Sequence, residues 1–121
     1  MSGLVQLART TAQPANESHE SELRKLLQYK VELRRKMFDV LNSGGKAVPE
    51  AELAAAKRQV MEAELDAAET KAQRIAILQK LSAFAKANFE AVQNLESKIE
   101  LIRAEVEWTE AVIALEREKL K

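Results

Sequence analysis

Seven positions spaced by sevens, Leu78, Ala85, Val92, Ile99, Val106, Ile113 and Leu120, carry an apolar residue without a miss. A helix whose apolar residues recur about every 3.5 positions must bury that seam against another helix, so few folds remain open to the C-terminal half. The companion positions Leu81, Asn88, Leu95, Ile102, Thr109 and Glu116 are more mixed. From Pro49 to Leu120 no glycine or further proline occurs, and nothing in the sequence compels a helix to stop there.

Upstream, two more seams precede this one. Leu23, Lys30 and Met37 share one heptad position and Leu26, Leu33 and Val40 the other, and Leu27, Val31, Phe38 and Leu41 widen that stripe. A stripe so wide can meet more than one helix. Leu53, Val60 and Ala67, with Ala56 and Ala63, form a narrow seam of small residues that permits close helix approach. The step from Ala67 to Leu78 is eleven residues, which a four-residue stutter in a continuous coiled coil produces. The alternative is that Thr70-Lys71-Ala72-Gln73 forms a capping box and opens a new helix.

The pattern is doubled. Sliding one half over the other pairs Phe38 with Phe89, Leu53 with Ile99, Ala56 with Ile102, Val60 with Val106 and Ala67 with Ile113. The first copy holds an insertion, Ser43-Gly44-Gly45-Lys46-Ala47-Val48-Pro49, in which glycine accepts the left-handed backbone that ends helices and Pro49 starts the next one. The second copy lacks it.

The expected fold is therefore all-α: an antiparallel helical hairpin with one long coiled-coil arm. A tail over residues 1–16 precedes a single helical domain over 17–121, with a helix over 17–43, a turn over 43–49 and an arm over 50–120, a break near 70 being left open. A compact four-helix bundle is the alternative, and it requires a further turn near Gln93-Asn94. A first helix of roughly 39 Å cannot cover an arm of roughly 107 Å, so the long-arm form implies an oligomer, with an antiparallel dimer the first choice. Charge follows the same segments: residues 18–43 sum to +2, 49–70 to −4, 71–98 to +3 and 99–121 to −2. Alternating signs favour antiparallel neighbours.

Composition agrees with long helices and argues against several chemistries. Charged residues make up 31% and aromatics 4%, the bias of coiled coils. The net charge is zero, giving no global attraction to nucleic acid or to an anionic membrane. No apolar run reaches membrane-spanning length, so no direct membrane insertion is expected. With no cysteine, thiolate metal sites are excluded. As the sequence stands it reads as cytoplasmic, or as periplasmic if a signal peptide has been omitted.

No residue set points to catalysis. His19 stands alone, with no glutamate three residues before it, and a solvated residue near the helix start is the favoured reading. Glu105, Glu107 and Glu110 read as a solvated face, and Arg34-Arg35-Lys36 as ordinary salt bridging. Gly44-Gly45-Lys46 lacks the strand, the spacing and the hydroxyl of a phosphate loop. Trp108 aligns with Glu62, where it would either anchor an interface or pack at a helix crossing. No catalytic residue, cofactor or metal is expected, nor an enzyme.

The stretch from Phe38 to Ala68, with Phe38, Gly45, Leu53 and Ala55 followed by Val60-Met61-Glu62-Ala63-Glu64-Leu65, resembles the α-hairpin tip of TolC-like outer-membrane efflux proteins. Residues 63–78 are similar to the linker between tandem copies in planctomycete-type coiled-coil members, without the β-strand segments of the family. The resemblance implies a docking tip over Ser43–Leu53, with Gly44, Gly45 and Leu53 the matching positions, and an accessory or fragment of an envelope transport system. The residues themselves imply a non-enzymatic protein that self-associates or binds partner helices through its seams.

Overall fold

The computed structural model describes residues 15–121, and it is helical almost throughout. Helix α1 spans Ala15–Ser43, a short 3-10 turn spans Gly45–Ala47, and helix α2 spans Glu50–Ala67. Helix α3 spans Lys71–Ala91 and helix α4 spans Lys98–Leu120. No strand occurs among the described residues. The all-α class is as expected. Most of the expected tail, residues 1–14, lies outside the described residues, and residues 15 and 16 already belong to α1.

The single domain with one long arm is not what forms. The helices sort into two compact units, α1 with α2 and α3 with α4. The stretch expected as an arm over 50–120 is interrupted twice, between Ala67 and Lys71 and again between Ala91 and Lys98. The second interruption contains the turn near Gln93-Asn94 that the alternative architecture required.

The first hairpin turns on glycine for two separate reasons. Gly45 has φ +61°, a left-handed backbone that costs other residues roughly 1–2 kcal/mol. Gly44 is right-handed, but a Cβ there would come 2.7 Å from Val48 Cγ2, so it is needed for space. Val48 is extended, as the residue before a proline prefers. The Pro49 carbonyl then accepts from the N–H groups of Glu52 and Leu53, which places the proline just outside the helix instead of in its first turn.

Val31, Ala63 and Ala67 form the buried centre of this hairpin, with Leu27 packed against them. On α1 these contacts come from the residues that widen the stripe. The heptad residues Leu23, Leu33, Met37 and Val40 stay exposed. On α2 the small-residue seam is the buried one, with Ala56, Ala63 and Ala67 all covered. Basic α1 faces acidic α2: Arg35 reaches Glu64 at 2.8 Å, Lys30 reaches Asp66 at 3.7 Å, and Arg34 donates to Gln59 at 3.2 Å. These pairs are part-exposed, and each contributes about 0.2–1 kcal/mol at most; they choose the antiparallel partner more than they stabilise it.

The second hairpin begins with the capping box. Thr70 Oγ1 accepts from the Gln73 N–H at 3.1 Å, and Gln73 Oε1 accepts from the N–H groups of Thr70 at 3.1 Å and Glu69 at 2.8 Å. Three backbone donors that a continuous helix would have paired are thus satisfied locally, which offsets part of the cost of the break near 70. The second turn needs no glycine. Val92 ends α3 at φ −95° and ψ 4°, the Leu95 N–H bonds the Val92 carbonyl at 3.0 Å, and Ser97 Oγ caps α4 by accepting from the Glu100 N–H at 3.3 Å. A seam position therefore keeps its seven-residue spacing across a loop, because each helix carries its own stripe and the loop only happens to preserve the count.

Candidate functional site: the outward face of the last helix

Of the seven expected seam residues, the structure divides those on α3 from those on α4. Leu78 and Ala85 are buried and Val92 is half-buried, so α3 uses its heptad seam inside the hairpin. Ile99, Val106, Ile113 and Leu120 are exposed, with Ile99 at 71% and Leu120 at 88%. The expectation of one continuous buried seam from Leu78 to Leu120 is corrected accordingly.

The face that α4 turns inward is a second heptad stripe: Leu101, Ala104, Trp108, Ala111, Leu115 and Glu118, all buried or half-buried. At 100° per residue this stripe lies about 160° around the helix from the Ile99–Leu120 stripe. Helix α4 is thus apolar on two nearly opposite faces. One is used by the hairpin, and the other, with Ile102 60% exposed and Val112 exposed beside it, is not. Ile102, Val106 and Thr109, edged by Glu105 and Glu110, line a shallow concavity on that outer face.

Trp108 belongs to the inner face. Its ring packs on Phe89 with centroids 5.4 Å apart and planes tilted by 35°, and Lys86 Nζ lies 6.0 Å from its centroid. Of the two readings offered for Trp108, packing at a helix crossing is the one the geometry places there. Gly44 and Gly45 sit exposed at the apex of the first hairpin, while Leu53 is half-buried on the seam of α2.

The open end of the second hairpin is held by charge. Arg74 Nε donates to Glu118 Oε1 at 2.6 Å, and Lys121 Nζ lies 3.1 Å from the other carboxylate oxygen. Lys71 Nζ donates to the carbonyls of Lys119 at 3.3 Å and Lys121 at 3.1 Å, satisfying groups that a helix end leaves free. The Glu118 side chain is only 5% exposed. The Arg74 hydrogen bond, opposed by burial and helped by Lys121, holds the Glu118 carboxyl below the usual carboxylate range. A depressed carboxylate contributes stability that is present above its unfolded-chain pKa and is lost as pH falls through the lower folded value. Thermal melts at a series of acid pH values should show stability falling on that limb, and Glu118→Gln should flatten it.

His19 is exposed on α1, and among the described residues no three His, Asp or Glu gather as a metal would need. No helix among the described residues is long and apolar enough to cross a membrane. Arg35 forms an ion pair with Glu64, and Arg34 donates to the neutral amide of Gln59. No protein-family model matches the chain, and no curated protein or solved structure matches it either. The likeness to efflux-protein hairpins gains nothing from these comparisons and stays with the residues that suggested it.

Proposed function

We propose that this is a non-enzymatic helical interaction protein that self-associates or binds a partner helix through the outward face of α4. The observation that carries the reading is the run of branched aliphatics on that face, Ile99, Ile102, Val106 and Ile113, left in water by a helix that already has an inward apolar face. Scattered exposed aliphatics need no explanation, but a contiguous row at heptad spacing on a hairpin's outer side is the form of a helix-binding surface. Covering a fully exposed side chain of this kind contributes about 1.5–3 kcal/mol, and these four, 44–71% exposed, would each contribute part of that toward offsetting the entropic cost of association.

The need for a partner no longer rests on a long arm that a short helix fails to cover. It rests on the second face of a single helix. Light scattering at tens of micromolar should give a mass near twice 13.5 kDa. Ile102→Asp with Ile113→Asp, both at exposed positions, should return the mass to that of the monomer without loss of helical circular dichroism. A wild-type chain that is a clean monomer over this range sinks the self-association reading.

A further inference from the structure

The charges beside the outward stripe are specific enough to say how two copies would meet. We infer that the α4 faces of two copies pair antiparallel, in a register that sets Arg103 of each against Glu110 of the other; the inference rests on the self-association reading above. On this face Ile99, Val106, Ile113 and Leu120 occupy one seam position, and Ile102, Thr109 and Glu116 the other. Arg103, Glu110 and Arg117 follow one edge of the stripe, and Lys98, Glu105, Val112 and Lys119 the other. Arg103, Glu105 and Glu110 are all exposed.

A parallel pair fails on both counts. Each seam residue would meet its own copy, setting Glu116 against Glu116 within the seam. Across the edges, a residue on one side meets the residue five positions on in the other chain. That brings Glu105 to Glu110 and Lys98 to Arg103, like charges each time. Reversing one helix removes the clashes at Glu105, Glu110 and Glu116 and leaves one like-charge pair, at the ends of the overlap. With Ile99 opposite Glu116, Ile102 opposite Ile113 and Val106 opposite Thr109, every layer is formed twice by the two-fold axis. The Val106–Thr109 layers lie at the centre with the isoleucine layers next to them, Glu116 faces Ile99 instead of its own copy, and Leu120 lies beyond the overlap. On one edge Arg103 then stands across from Glu110 at both symmetry-related places, while on the other Glu105 faces Val112 and the like-charged pair Lys98 and Lys119 falls at the solvated ends of the overlap.

The exposed stripe of α1 is the rival occupant, since Leu33, Met37 and Val40 also lie in water. Lys30 interrupts that stripe between the exposed Leu23 and Leu33 at a seam position, however, and a partner helix there would draw its charge, paired with Asp66 at 3.7 Å, out of water. The α4 row has no such interruption between Ile99 and Ile113 at the corresponding position.

Sedimentation equilibrium of the full chain tests the pairing. Glu110→Arg and Arg103→Glu should each raise the dimer Kd by on the order of tenfold, because two attractive contacts become repulsive. The double exchange Arg103→Glu with Glu110→Arg should bring Kd back to within about threefold of wild type. Val40→Asp, at an exposed site on α1, should leave it unchanged. In a parallel dimer Glu110→Arg would relieve its clash with Glu105 and tighten association. That result overturns the antiparallel register while leaving self-association standing. Loss of the dimer in Val40→Asp would assign the face to α1 of a second copy and overturn the inference as well. A monomer at every concentration removes both the reading and the inference.

Discussion

Leu78→Ala is expected to destabilise the chain by about 2–5 kcal/mol, the cost of truncating a leucine that is 4% exposed. Ile99→Ala, three heptads further along the same seven-residue series, is expected to change stability by less than about 0.5 kcal/mol. The contrast follows from the turn over residues 92–97. On α3 the seam faces the hairpin, and on α4 it faces water. Urea unfolding followed by circular dichroism, at concentrations low enough to keep the chain monomeric, reads both values. Had the arm been continuous, the two substitutions would have cost alike.

A second large effect comes from making a residue bigger. Ala63 is 2% exposed and packs with Val31, Ala67 and Leu27 where α1 and α2 come together. Small residues along α2, Ala56, Ala63 and Ala67, hold the two backbones close. Ala63→Leu therefore has no void to fill and should destabilise the first hairpin by about 1–3 kcal/mol through displaced neighbours. Ala51→Leu, at an exposed position of the same helix, is the control and should lie within about 0.5 kcal/mol of wild type, by the same urea assay.

These residues also show what was legible beforehand. The first hairpin was readable because its turn carries compulsory signals: a left-handed glycine, a glycine with no room for a Cβ, and a proline. The small-residue seam of α2 and the opposite charges of α1 and α2 were likewise present in the residue types themselves. The second turn has neither glycine nor proline, and Val92 and Ile99 keep heptad phase across it, so periodicity argued for a helix that does not exist. The signal that could have found it is Ser97-Lys98-Ile99-Glu100, a hydroxyl followed three residues later by glutamate, matching the Thr70 and Gln73 pair that opens α3. Capping is worth only about 1 kcal/mol, yet it decides where a helix begins when no breaker is present.

Which stripe faces inward was harder to read for a physical reason. Both α1 and α4 are apolar over more than one partner helix needs. In α4 the inward face combines Trp108, alanines and a buried glutamate, and the cleaner aliphatic row is the outward one. Regular heptad spacing of branched residues therefore marked a solvent-exposed face of α4 instead of the hairpin's own core. The Arg74–Glu118 contact, which compensates the buried carboxylate, has a separation of 44 residues and leaves no local pattern to detect.

A distance across the second hairpin tests the central claim most directly. The chain has no cysteine, so Ala72→Cys and Lys119→Cys, both exposed, can carry spin labels without competition. The labelled chain would be diluted into excess unlabelled protein so that only distances within one molecule are read. Lys71 at the start of α3 reaches the Lys119 carbonyl at 3.3 Å, and the hairpin accordingly predicts labels within about 20–25 Å, allowing for their tethers. A continuous arm would hold them roughly 70 Å apart. A single short distance supports the second hairpin in place of a continuous arm, and a long one contradicts it.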